Sequence, residues 1–199
     1  MNPPATDPTP ERRELYQAIG EATTAWAKIE GCLGVIFITM VAGDGMKIDN
    51  MLRNLAARAA FHAIINFNSK LAATDAAARW FLVNQPANLE RWNALQNRTK
   101  RQAKRRNDIV HFALIRGGPI PFGLFEDYLA PSMYGTYHLA GAQPPRLRAD
   151  DIRARAKSFR ALADELFAFA VTIGASPQEP PGVSPEPQSE TDPDAPDTE

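Results

Sequence analysis

The run Arg106-Asn107-Asp108-Ile109-Val110-His111 holds the residue types in this chain best suited to chemistry. It sets a permanently charged guanidinium, a short amide and an imidazole within about two helical turns. Directly before it come Arg98, Lys100, Arg101, Lys104 and Arg105. Cations that grip phosphate, beside a group able to move a proton near neutral pH, are what cleavage of a phosphodiester requires. The Arg–His spacing alone is a weak signal: with 16 Arg and three His in 199 residues, chance supplies roughly 0.2 such pairs. Requiring Asn directly after the Arg lowers that to about 0.01, so Asn107 and the cationic run carry the discrimination.

Two plainer readings of these residues stand beside the chemical one. A basic run on a helix is commonly a solvated face, and His111, between Val110 and Phe112, fits a half-buried histidine bonded to backbone. Geometry adds a constraint. At about 100° per residue, Arg106 and His111 fall about 140° apart on a regular helix, whereas Asn107 and His111, at i and i+4, share a face. A common site for Arg106 and His111 therefore needs a helix that ends near His111, a cleft that wraps around it, or a second chain that supplies the other half. The last case predicts a two-fold dimer.

The elements that must position these residues follow from apolar periodicity. Leu15, Ile19, Ala22, Trp26, Ile29, Leu33, Ile36, Phe37 and Met40 recur at three- and four-residue steps, predicting a first helix over residues 11–41 that Gly43 and Gly45 stop. A second helical region spans 50–78, with Leu52, Leu55, Ala59, Ala63, Phe67 and Leu71 on one face. A third begins at Pro86 or Asn88, shows Leu89, Trp92 and Leu95, then turns basic as it enters the motif; Gly117, Gly118 and Pro119 end that segment. Residues 113–148 read as a long loop with room for one short hairpin. Asp150 caps a last helix with the stripe Ile152, Ala156, Phe159, Leu162, Leu166, Phe169 and Ile173, closed by Gly174. The expected fold is all-α, a bundle of four to five helices over residues 11–174. Residues 1–10 form a disordered N-terminus, and 175–199 form an acidic, Pro-rich disordered tail.

Charge is divided unevenly. The net charge is −1, yet residues 176–199 carry seven acids and no Lys or Arg. Residues 1–175 are left with 22 basic against 16 acidic residues, a balance of about +6 that suits a polyanionic partner. The single Cys32 excludes an internal disulfide and reads as a buried, unreactive thiol. The three histidines (His62, His111, His138) show no metal-ligand spacing, so neither metal nor cofactor is expected. There is no secretion signal, and the greasiest run, residues 32–42, is too short to span a bilayer, so a soluble cytoplasmic protein without a membrane partner is expected.

Arg106-Asn107-x-x-x-His111, late in a helical domain that begins with a long helix carrying Trp26-Ala27-x-x-Glu30, resembles the HEPN superfamily. Its signature is an Arg followed four to six residues later by His, often with Asn after the Arg. The resemblance covers about residues 11–174, though only the six-residue motif is specific. It implies a helical bundle, commonly a homodimer, and in many members a metal-independent endoribonuclease of toxin–antitoxin or phage-defence systems whose two motifs meet at the dimer interface. Other members are non-catalytic RNA- or nucleotide-binding or scaffold modules. Carried over, His111 would exchange the ribose 2′-OH proton, Arg106 would stabilise charge on the phosphoryl oxygens, and Asn107 would orient the histidine or the phosphate. Arg101, Lys104 and Arg105 would hold RNA phosphates without base selectivity. Some toxins of the family carry a Tyr two residues after the motif His, where antitoxins modify it. This chain has Ala113 there, so an antitoxin or regulatory partner would have to act by another route.

Overall fold

The computed structural model describes residues 9–42, 48–116, 127–131 and 146–175. Most of the expected terminal segments and of the long loop lie outside them; Pro10 and Ala175, expected in the terminal segments, are helical. The described part is mostly helical, with five helices and one small hairpin: α1 (Pro10–Ala42), α2 (Ile48–Ala63), α3 (Phe67–Phe81), α4 (Pro86–His111), β1 (Ala113–Arg116), β2 (Asp127–Ala130) and α5 (Ala149–Ala175).

The core forms where the two longest stripes meet. α1 buries Leu15, Ala18, Ala22, Trp26, Ile29, Leu33, Ile36 and Met40, and α5 buries every residue of its predicted stripe. The Phe159 ring stands edge-on to Trp26 with centroids 5.3 Å apart, a favourable aromatic arrangement. Small residues let the backbones approach here, and the Cys32 thiol of α1 donates to the Ala163 carbonyl of α5 at 3.4 Å. Length and composition alone would let α1 cross a bilayer; in the fold its apolar stripe is the centre of the core.

The region read as one helix over 50–78 is two. Asn66 adopts extended backbone and its side-chain oxygen accepts from the N–H groups of Asn68, at 2.8 Å, and Ser69. It is thus an N-cap that starts α3 afresh. The face of α2 also differs from the expected one: Ala57 and Phe61 are buried, while Leu55, Ala59 and Ala63 are exposed. Phe61 reaches the core over Gly34, where an added Cβ would sit 3.1 Å from its ring.

α4 starts at Pro86, as its fixed φ favours. Its lower half keeps an inward face, but a polar one of Gln96, Thr99 and Gln102. Trp92, fully buried, donates its indole N–H to Asp75 of α3 at 2.9 Å, and Arg79 pairs with the other carboxylate oxygen at 3.0 Å. Burial pulls the Asp75 carboxyl up. The Trp92 and Arg79 hydrogen bonds and the Arg79 charge outweigh it and hold the group below its ordinary value. Asp75→Ala should therefore cost about 1–3 kcal/mol at neutral pH, since the Trp92 N–H loses its acceptor. Because the folded-state value is the lower one, the carboxylate's own contribution is present above the unfolded-state value and is lost as pH falls through the folded one. Urea melts of wild type and Asp75→Asn from pH 7 to pH 2 should converge in acid; a gap constant with pH would refute the linkage.

The long segment does contain a hairpin. β1 and β2 pair antiparallel, with Ala113 opposite Ala130 and Arg116 opposite Asp127, and Leu147 bridges to Leu129. Asp127, buried, receives two hydrogen bonds from Arg12 at 3.1 and 3.2 Å, which strap the hairpin to the start of α1.

Candidate functional site

α4 ends where the motif ends. Its last helical bond runs from the Phe112 N–H to the Asp108 carbonyl at 3.1 Å, and Phe112 turns extended into β1. His111 is thereby the final helical residue, exposed to solvent. The segment does not continue helically to Gly117, because the chain enters the hairpin first. Its position is set by α5: Arg155 donates to the Arg105 carbonyl at 2.7 Å and to the Asp108 carboxylate at 2.8 Å. A guanidinium shared by a carbonyl of the last two turns and a carboxylate fixes both orientation and reach. Asp108, which carried no role in the sequence motif, is the residue that anchors it.

Within one chain the three motif side chains open onto different surfaces. Arg106 is half-buried and lines a groove of about 680 Å³ formed by α1 and α2 with Lys70 of α3. The only hydrogen bond of its side chain among the described residues is a long one, 3.4 Å, to the Asn107 side-chain oxygen. Asn107 is exposed and borders a second groove, of about 590 Å³, between α3 and α4. His111 lines neither groove. The helix end foreseen near His111 is present, yet it does not by itself join Arg106 and His111.

The cationic run is partly free and partly tied. Lys100, Arg101, Lys104 and Arg105 are exposed, and none forms an ion pair among the described residues. Lys100 and Lys104 border the α3–α4 groove with Asn107. Arg98 differs: it grips Glu165 of α5 at 2.6 and 2.7 Å and serves packing. Arg101, Lys104 and Arg105 thus form a solvated positive face that runs toward His111, open to a polyanion.

Residues that sequence reasoning passed over gather around Arg106. The same groove is lined by Arg58 and His62 of α2, Lys70 of α3, and Trp26 and Glu30 of α1. Glu30 accepts the Trp26 indole N–H at 3.0 Å and pairs with Lys70 at 3.1 Å. The i, i+4 spacing of Trp26 and Glu30 was visible in the chain; the arrival of Arg58, His62 and Lys70 from two other helices was not.

Cys32 is half-buried, and burial, then the nearby Asp164 charge, push its thiol up, away from reactive thiolate. Among the described residues no three His, Cys, Asp or Glu side chains gather as a metal site. Comparison of this chain with family models, with curated proteins and with solved structures found no match.

Proposed function

We propose that this chain is a metal-independent endoribonuclease of HEPN type, a cytoplasmic RNA-cleaving toxin or defence protein that works as a two-fold dimer. The observation that carries the reading is the placement of His111: exposed, at the very end of α4, one turn beyond Arg106 and Asn107 and beside Arg101, Lys104 and Arg105, which form no ion pair among the described residues. Val110, an apolar side chain about half exposed between the motif residues, suits a surface that a second copy covers.

In the proposed reaction one histidine takes the ribose 2′-OH proton as O2′ attacks phosphorus. The P–O5′ bond breaks, the departing O5′ gains a proton, and the products are a 2′,3′-cyclic phosphate and a 5′-hydroxyl. An imidazole can both accept and donate a proton, which suits both transfers. Arg106 neutralises charge on the non-bridging oxygens as a two-pronged donor, and Asn107 orients the phosphate or the histidine. No metal or cofactor enters this scheme.

The test is incubation with single-stranded RNA in EDTA. Fragments ending in cyclic phosphate are expected, with DNA of the same sequence left whole for want of a 2′-OH. Cleavage that survives His111→Ala would remove the reading. A second reading, RNA binding without cleavage, is favoured by the opposed directions of Arg106 and His111 within one chain. Both readings expect binding that falls steeply with salt, and Lys104→Ala or Arg105→Ala should each flatten the log–log salt dependence by about 0.7. An unchanged slope would leave the α4 face as solvated surface, and the domain as a helical scaffold for a protein partner.

A further inference from the structure

We propose that the acidic residues 176–199 dock on the cationic face of α4 and compete there with RNA. The competition rests on the reading of that face as the phosphate-binding surface; the contact itself does not. Charge supplies the attraction. Residues 176–199 carry seven acids and no Lys or Arg. Lys100, Arg101, Lys104 and Arg105 are exposed and have no ion-pair partner among the described residues. Several other cations are already committed, Arg12 to Asp127, Lys70 to Glu30 and Arg160 to Glu21. The acids beside the face are engaged as well, since Glu165 holds Arg98 and Asp108 holds Arg155.

Placement supplies the reach. α4 and α5 lie side by side in opposite directions: Arg155 meets Arg105 and Asp108, Arg98 meets Glu165, and Arg91 meets Thr172. The end of α5 at Ala175 thus stands beside the start of α4. From Arg91 to Lys100 and Arg105 is about 14–21 Å of helix. Glu190, 15 residues past Ala175, can lie up to about 50 Å from it at about 3.3 Å per residue. Glu190, Asp192 and Asp194 therefore reach the face with chain to spare. Spacing fits too. Acids two residues apart on an extended chain stand about 6.6 Å apart. Lys100 and Lys104, like Arg101 and Arg105, lie about 6 Å apart along the axis of α4. Tethering raises the local concentration of these acids to the millimolar range, so a few exposed ion pairs can hold the face at low salt and release it at high salt.

Carbodiimide cross-linking of the full chain at about 50 mM salt tests the contact. The reagent joins a carboxylate to a neighbouring lysine amine as an amide and leaves as its urea. Mass spectrometry of the single-chain band should find the acids of residues 176–199 on Lys100 and Lys104, several-fold above Lys28 of α1 and Lys157 of α5, which are also exposed. Competition is read from RNA binding, in the His111→Ala background so that cleavage plays no part. Replacing the seven acids by Gln or Asn should raise affinity for single-stranded RNA about tenfold at about 50 mM salt, and not at about 500 mM. Cross-links spread evenly, or favouring Lys28 or Lys157, overturn the proposal even if RNA affinity rises, because the acids would then repel RNA without touching α4. Cross-links at Lys100 and Lys104 without a gain in RNA affinity overturn the competition. If neither protein binds RNA, the nuclease reading fails, while the cross-links still decide the contact.

Discussion

Mixing two dead variants, Arg106→Ala and His111→Ala, should restore about a quarter of the wild-type RNA cleavage. Alone, each should fall by about 10²–10⁴, the usual contribution of a positioned proton-transfer or charge-stabilising group. Arg106 and His111 open onto different surfaces of a single chain, so in the proposed two-fold dimer a shared phosphate lies between the Arg106 of one copy and the His111 of the other. In a mixed two-fold dimer one of the two composite sites keeps both groups and the other loses both. Random exchange makes about half of the dimers mixed, each with one working site of two. If both groups instead acted from one chain, no mixture would hold an intact site and the activity would stay at the level of the single variants. The experiment reads geometry rather than chemistry alone.

The largest expected loss of stability is at Phe159. Phe159→Ala should cost about 3–5 kcal/mol, the range for removing a buried aromatic ring. The ring is fully buried on α5 and stands edge-on to Trp26, which itself stacks obliquely near Phe67 at 4.8 Å. Its removal opens a cavity where α1, α4 and α5 meet, beside Ala22, Trp26 and Ile109, and neighbouring helices cannot close it without giving up their own contacts. Set against a typical total of about 5–15 kcal/mol, this leaves the variant marginal. Chemical denaturation at 25 °C checks it, with Phe159→Leu expected to lose clearly less. A loss below 1 kcal/mol would mean the α1–α5 seam is not the centre of the core.

Amphipathic stripes written in Leu, Ile and Phe were legible from the chain, and α1 and α5 lie within a residue or two of their expected ends. Where burial uses other means, the stripe misleads. α4 seemed to lose its inward face after Leu95 because that face passes to Gln96, Thr99 and Gln102. The α2–α3 break rests on one side-chain oxygen, Asn66, inside an otherwise unbroken Ala-rich pattern. At the site, the 140° between Arg106 and His111 was calculable, because a helix fixes relative directions along itself. The surroundings of Arg106 were not, since Arg58, His62 and Lys70 reach it from two other helices through tertiary packing. Nor does any local pattern mark Asp108 as the partner of Arg155, 47 residues later in the chain.

The pairing of the first helix with the last has a consequence for how the molecule comes into being. α1 is made before the helices it packs on: α2 and α3 cover part of its apolar side early, but α5, its most extensive partner, follows more than a hundred residues later. Contacts of such sequence separation close late and slow folding. The clasp from Arg155 that steadies the end of α4 arrives with the same final helix. A chain still being translated thus carries the Arg106–His111 segment without its anchor until α5 has emerged and Arg155 can reach Arg105 and Asp108.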